Sequence, residues 1–215
     1  MSIHNTYAVF GLGKYGFSVA KELVNNGAEV LAIDMDEEIV NASADELPLC
    51  KCADITDPDV IKHLGIADID VVIVAMARNL EASVMAVTLC KEAGVKTVIA
   101  KCASEMHQKI LSRVGADRVL VPEIESGTRL GKSLISAGFV DLMEISPDVS
   151  VVELKVKKDW VGKNLVTLNL RKKYGINVVA VRTGDKVEIN INPETPLAKD
   201  NTLIVIANTS KLNRI

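Results

Sequence analysis

Aromatic side chains are scarce in this chain of 215 residues, which has one Trp, three Tyr and three Phe, 3% in all. The core must therefore be aliphatic, and a stacking surface for single-stranded nucleic acid is excluded. An excess of charge is also lacking, because 25 Lys and Arg stand against 28 Asp and Glu for a net charge of −3. Without a basic tract there is no field to attract phosphate backbones, so no nucleic-acid partner is expected. No apolar run approaches the roughly 18 residues that a spanning helix needs, and no signal-like apolar core follows a charged start. A cytoplasmic chain is the expectation. Four cysteines, Cys50, Cys52, Cys90 and Cys102, show no CxxC spacing and meet only three histidines. That argues against structural zinc and for reduced, partly buried thiols.

What is present is 48% apolar residues, enough for one full domain and a smaller one. Apolar runs alternate with amphipathic segments from Tyr7 to about Ala137, the sequence form of a parallel sheet with crossover helices. Strands are expected at 6–11, 29–33, 48–52, 70–75, 96–100 and 118–121, with helices near 16–26, 37–45, 57–64, 79–93, 104–113 and 125–137. The run Val71-Val72-Ile73-Val74-Ala75 is apolar at every position, as suits a sheet covered on both faces. This α/β, Rossmann-like doubly wound domain is expected to span residues 1–140. After Gly138 the rhythm changes. Phe139 to Ile145 is a short apolar stretch that ends at Ser146-Pro147-Asp148, and residues 141–215 read as a small α+β domain. Its elements are a strand at 150–157, a helix at 163–173, strands at 176–182, 186–190 and 202–207, and a Gly184-Asp185 hairpin turn. Such a thin core favours self-association.

Chemistry is concentrated at the front of the chain. Gly11-Leu12-Gly13-Lys14-Tyr15-Gly16 lies between a strand and a helix, the context in which GxGxxG binds a dinucleotide. Gly11 allows the turn, Gly13 admits a pyrophosphate to the backbone, and Gly16 lets the helix pack closely. Asp34 follows eighteen residues after Gly16, where an acid bonds ribose hydroxyls and disfavours the 2′-phosphate of NADP. Ligands of such sheets lie beyond the carboxyl ends of the strands, which here read Asp34-Met35-Asp36, Asp54-Ile55, Ala75-Met76-Ala77-Arg78, Lys101-Cys102 and Pro122-Glu123. Asp54 either accepts from an adenine amino group or caps the helix near Asp57. Ala75 and Met76 can press on adenine or ribose. Arg78, Lys101 and Lys14 either reach phosphate or are solvated charges, and His107 is open between site and structure. No Walker loop, nucleophile elbow or acid–base pair beside a nicotinamide is evident, so the nucleotide reads as a signal and not a reactant.

Further stretches complete the pattern. In the first domain these are Ala53-Asp54 and Val114-Gly115-Ala116-Asp117-Arg118-Val119 leading into Pro122-Glu123. In the second, Leu165-x-x-Leu168-x-Leu170-Arg171-x-x-Tyr174-Gly175-x-x-Val178-Val179-Ala180-Val181 is followed by Pro193 and by the spacing from Asp200 to Leu203. Together with the glycine loop and Asp34-x-Asp36, they resemble the Trk/Ktr family of bacterial potassium uptake regulators, built from RCK (regulator of potassium conductance) N- and C-terminal domains. The resemblance implies a non-enzymatic gating ring: dimers assembling into an octamer that docks on the cytoplasmic face of a membrane potassium-translocating subunit. ATP, ADP or NAD(H) would change the ring's shape, with Mg2+ or another cation accompanying ATP. It implies that the strand-end residues line the pocket and that Glu123 meets a partner subunit's phosphate or the cation. Lys14 stands where some members carry arginine, keeping the charge but losing the bidentate fork. Some relatives bind cyclic di-AMP between two C-terminal domains, for which Arg171, Asn177 and Pro193 are candidates. Two alternatives remain: an NAD-dependent oxidoreductase with a separate catalytic chain, and an RCK regulator of potassium efflux or antiport.

Overall fold

The computed structural model describes residues 5–135, 139–146 and 148–208. The chain divides into two compact units after Glu123.

In the first unit, strands β1 (Thr6–Phe10), β2 (Glu29–Asp34), β3 (Cys50–Cys52), β4 (Val71–Val74), β5 (Thr97–Lys101) and β6 (Arg118–Leu120) form one parallel sheet in the order β3-β2-β1-β4-β5-β6. Helices α1 (Lys14–Asn25), α2 (Glu37–Ser43), α3 (Pro58–His63), α4 (Leu80–Glu92) and α5 (Glu105–Arg113) connect the strands, and α6 (Pro122–Ile135) follows β6. The apolar strands are explained by burial on both faces. Along β1, Ala8 and Phe10 join a core cluster with Val72, Val74, Val98 and Ala100, while Val9 joins a second cluster with Val30, Ala32 and Ile73. Helix starts follow side-chain caps: Asp36, Asp57, Asn79 and Ser104 each accept from a backbone N–H two or three residues on, beginning α2 to α5. The last helix begins at Pro122 and not near 125, because proline's fixed φ and missing N–H suit the first helical position.

The second unit is an antiparallel sheet of β7 (Phe139–Ser146), β8 (Val149–Lys155), β9 (Ile176–Thr183), β10 (Lys186–Glu188) and β11 (Asn201–Asn208), ordered β10-β9-β11-β8-β7. The apolar stretch from Phe139 is thus a strand, and Ser146 pairs with Val149 across the Pro147-Asp148 punctuation. Gly184-Asp185 forms the expected hairpin turn, with Thr183 opposite Lys186 and Gly184 at φ 58°. The helix expected over 163–173 is two short ones, α7 (Leu165–Leu168) and α8 (Leu170–Tyr174). They are broken at Asn169, whose φ of 47° and ψ of 48° are left-handed, a conformation that asparagine tolerates better than most residues. Val152, Leu154, Leu203 and Val205 pack with Trp160, Leu168 and Leu170 into a separate core.

All four cysteines are free. Cys90 and Cys102 are buried, Cys50 is half-buried, and Cys52 is exposed, contrary to the expectation of partial burial. Burial pushes the Cys90 thiol up to about 12, so it is inert at neutral pH. No helix among the described residues is long and apolar enough to cross a membrane.

Leu203 is fully buried in the same core as Trp160, the chain's single tryptophan. Leu203→Ala is expected to destabilise the second unit by about 2–5 kcal/mol. Urea titration followed by Trp160 fluorescence measures this directly.

Candidate nucleotide-binding site

The sheet order reverses at β1, which lies between β2 and β4, so the crevice at the carboxyl ends opens beside the glycine loop. The loop is bonded to both neighbours. The Gly11 N–H donates to the Ile33 carbonyl at 2.8 Å, and the Ala75 N–H donates to the Phe10 carbonyl at 2.7 Å. Gly11 takes φ 89°, and a Cβ there would lie 2.8 Å from Met76 Cγ. A Cβ on Gly16 would overlap the Gly11 carbonyl oxygen and stand 3.1 Å from Ala75 Cβ. Both glycines therefore serve packing. Gly13 differs, because a Cβ there meets nothing within 4 Å. A Cβ there would point into the open space above the loop. Gly13 is also the N-cap of α1, which has neither a side-chain cap nor an acid in its first turn. An external anion suits that helix start, and the residues fit a nucleotide pyrophosphate.

Asp34 ends β2 and holds the loop's shape. Its Oδ2 accepts from the Leu12 N–H at 2.6 Å, and its Oδ1 accepts from the Asp36 N–H at 3.0 Å. Each carboxylate oxygen has two lone pairs, so capacity remains for ribose hydroxyls. Leu12 contributes its N–H, its side chain being buried. Asp36 is occupied in capping α2, and Met35 is 74% exposed beside it.

The other strand ends divide. Asp54 does not cap the following helix, a role Asp57 performs. Instead its Oδ1 accepts from the Thr56 N–H at 2.9 Å and hydroxyl at 2.7 Å, bonds that hold its carboxyl below the usual range. Ala75 and Met76 lie at the end of β4, where the buried Ser83 hydroxyl donates to the Met76 carbonyl at 2.8 Å. Arg78 and Lys14 are exposed. Ile55 and Cys102 lie past the last residues of β3 and β5 with their side chains in the core, 4% and 0% exposed, which leaves only their backbone groups to meet a ligand. His107 stands in the first turn of α5, its N–H donating to the Ser104 hydroxyl at 3.2 Å.

Lys101 and Glu123 come together. Lys101 Nζ lies 2.6 Å from Glu123 Oε1 and 5.4 Å from the centre of the Tyr15 ring. The lysine's hydrogen bond holds the Glu123 carboxyl below its usual range. Among the described residues no three His, Cys, Asp or Glu side chains gather to hold a metal ion. Glu123 alone does not make a cation site, and ligand phosphates or a second copy would have to complete one.

In the second unit, a cavity of about 510 Å³ is lined by α7, α8 and the start of β9. Leu170 and Ile176 are buried in its wall, and Arg171 and Asn177 bring polar groups to it. Pro193 is not in the lining, but its carbonyl accepts from the Val166 N–H at 3.4 Å.

Residues 7–122 match the TrkA-N domain and residues 149–215 the TrkA-C domain. The chain belongs to the Trk/Ktr potassium uptake family. Among its relatives, Ktr system potassium uptake protein C of Bacillus subtilis (strain 168) is 36% identical over 97% of this chain and 94% of its own. Ktr system potassium uptake protein A of the same strain is 32% identical over the same shares. Of solved structures, the GsuK channel superposes with a TM-score of 0.70 at 16% identity, covering 98% of this chain and 38% of that one. A GsuK channel bound to NAD gives a TM-score of 0.66, again at 16% identity and with 38% of that chain covered.

In this Trk/Ktr chain, sequence reasoning missed two features of the first unit, the pairing of Lys101 with Glu123 and the use of Asp34 to hold Leu12, and one of the second, the left-handed Asn169. Only the last had a local signal, an asparagine between two helical patterns. Gly13→Ala is expected to fold with wild-type stability and to weaken nucleotide binding at least about tenfold, as a methyl enters the space where the phosphates would lie. Gly16→Ala is expected to cost about 1–3 kcal/mol of stability. Thermal melts beside calorimetric titration separate the two effects.

Proposed function

We propose that the chain is a nucleotide-sensing regulatory subunit of a bacterial potassium uptake system, a binding protein and not an enzyme. It would sit in the cytoplasm against the membrane-embedded pore subunit that it controls. The observation that carries this reading is the uncapped start of α1 at Gly13, open above and tied to Asp34 through Leu12, in a chain 36% identical to a Ktr potassium uptake protein over 97% of its length. The ligand class is an adenine nucleotide, ATP, ADP or NAD(H), with a cation shared between phosphates and Glu123. Backbone amides would hold the phosphates, Asp34 the ribose, and the Ala75–Met76 strand end the base. The regulator works as a ring of dimers, an octamer, whose shape follows the nucleotide. Regulation requires that two ligands prefer different shapes, since equal affinity for both shifts nothing.

The second unit's cavity supports a second ligand, cyclic di-AMP. Its apolar wall suits adenine, and Arg171 suits phosphate.

Titration of the purified chain with ATP, ADP, NADH and NADPH, with product monitored, tests the first site. Binding without turnover, with NADPH weakest, is expected. Turnover would favour the oxidoreductase alternative. Asp34→Ala should weaken every adenosine ligand about tenfold or more, because it removes ribose contacts and loosens the loop. Arg171→Ala should lower cyclic di-AMP affinity about tenfold and leave ATP binding intact. Co-purification of a potassium uptake subunit, and not an antiporter, would identify the transport direction.

A further inference from the structure

The pair at the end of β5 is unequal in a way that bears on ligand choice. Lys101 is 14% exposed at its side chain, whereas Glu123 is 66% exposed. A cation withdrawn from water is costly without a counter-charge, but a carboxylate at the surface exchanges a protein partner for water at little cost. The exchangeable member is therefore Glu123, and Lys101 must always hold some anion. Tyr15, whose ring the ammonium faces, is the second residue of α1, the helix whose start the phosphates would meet. Lys101 thus contacts a side chain from the first turn of α1 while holding a replaceable anion. Lys14 and Arg78 are exposed, where solvent and salt blunt their preference.

We propose that Lys101 is the specificity-determining residue of the site: the phosphates of a bound nucleotide and the carboxylate of Glu123 compete for its ammonium, so affinity rises with phosphate charge as Glu123 is displaced. This rests on the nucleotide-binding reading above and adds the means by which one nucleotide is distinguished from another. It also gives the displacement a destination. Glu123 lies in the first turn of α6, which runs from Pro122 to Ile135, and its ion pair ties that turn to the end of β5. A ligand that takes Lys101 releases the turn, and linkage makes the effect reciprocal.

The test uses the full chain in a chelating buffer, so that no divalent cation contributes, with adenosine, ADP and ATP as titrants. Glu123→Gln removes the competitor and is expected to tighten ATP about tenfold, ADP less and adenosine least. Lys101→Met is expected to reduce the preference for ATP over adenosine about tenfold, and Lys101→Arg to restore most of it. In the wild type, ATP should speed amide hydrogen exchange at residues 124–126, and in Glu123→Gln that exchange should be fast with or without ATP. Glu123→Gln that binds ATP no better than the wild type overturns the proposal, as does exchange at 124–126 that ATP leaves unchanged. Glu123 is exposed and its replacement leaves the core intact, so the competition is still measured if Lys101→Met does not fold. A wild type that binds none of the three ligands would instead overturn the nucleotide reading itself.

Discussion

The approach of α1 to the carboxyl end of β1 is the constraint on which the first unit depends. Gly16 lies so close to the Gly11 carbonyl that no side chain fits between them, and Ala75 stands just beyond. That contact seats α1 where β1 parts from β4, and the Gly11 and Ala75 N–H bonds fix the loop to its neighbours. From this one crossing follow the direction of α1, its uncapped start and the open space above Gly13. The phosphate site proposed here would rest on backbone geometry, with side chains adjusting it.

Those adjustments come from carboxylates that already have partners within the fold. Asp34 holds Leu12, Asp36 caps α2, Asp54 closes a turn with Thr56, and Glu123 pairs with Lys101. A ligand must therefore share or displace existing bonds and does not meet bare charges. Sharing is cheap for Asp34, whose oxygens keep lone pairs. Displacement at Glu123 breaks an ion pair and so changes how the start of α6 is held. Conformational response to a ligand arises at such places, where occupying the site and relaxing a structural contact are the same event.

The second unit solves a different problem with little material. Its sheet packs one face on Trp160 and a few leucines, and the two short helices over that core are separated by a left-handed Asn169. The break redirects the chain so that Leu165 and Val166 of α7 and Arg171 of α8 border one cavity with Asn177. An unbroken helix would have spread these residues along a single axis.

The parallel strands, their two-sided burial, the glycine loop and the hairpin at Gly184 were legible in the sequence because each follows from local chemistry: runs of apolar residues, glycines where φ is positive, polar caps before helices. The strand from Phe139 was not, since it needs β8 to pair with, and the break at Asn169 had only the asparagine itself as a signal, its direction being set by the core it turns around. The strand-end rule points to a region of the sheet but not to which side chains face it. The chain just past β3 and β5 turns the side chains of Ile55 and Cys102 into the core, which their position in the sequence does not show. Sequence by itself determined the fold class and the family, and pointed to the crevice proposed for a nucleotide. Only the tertiary structure decided that Lys101 and Glu123, 22 residues apart, share an ion pair, because that depends on how far β5 and the start of α6 are brought together and how little water reaches the lysine.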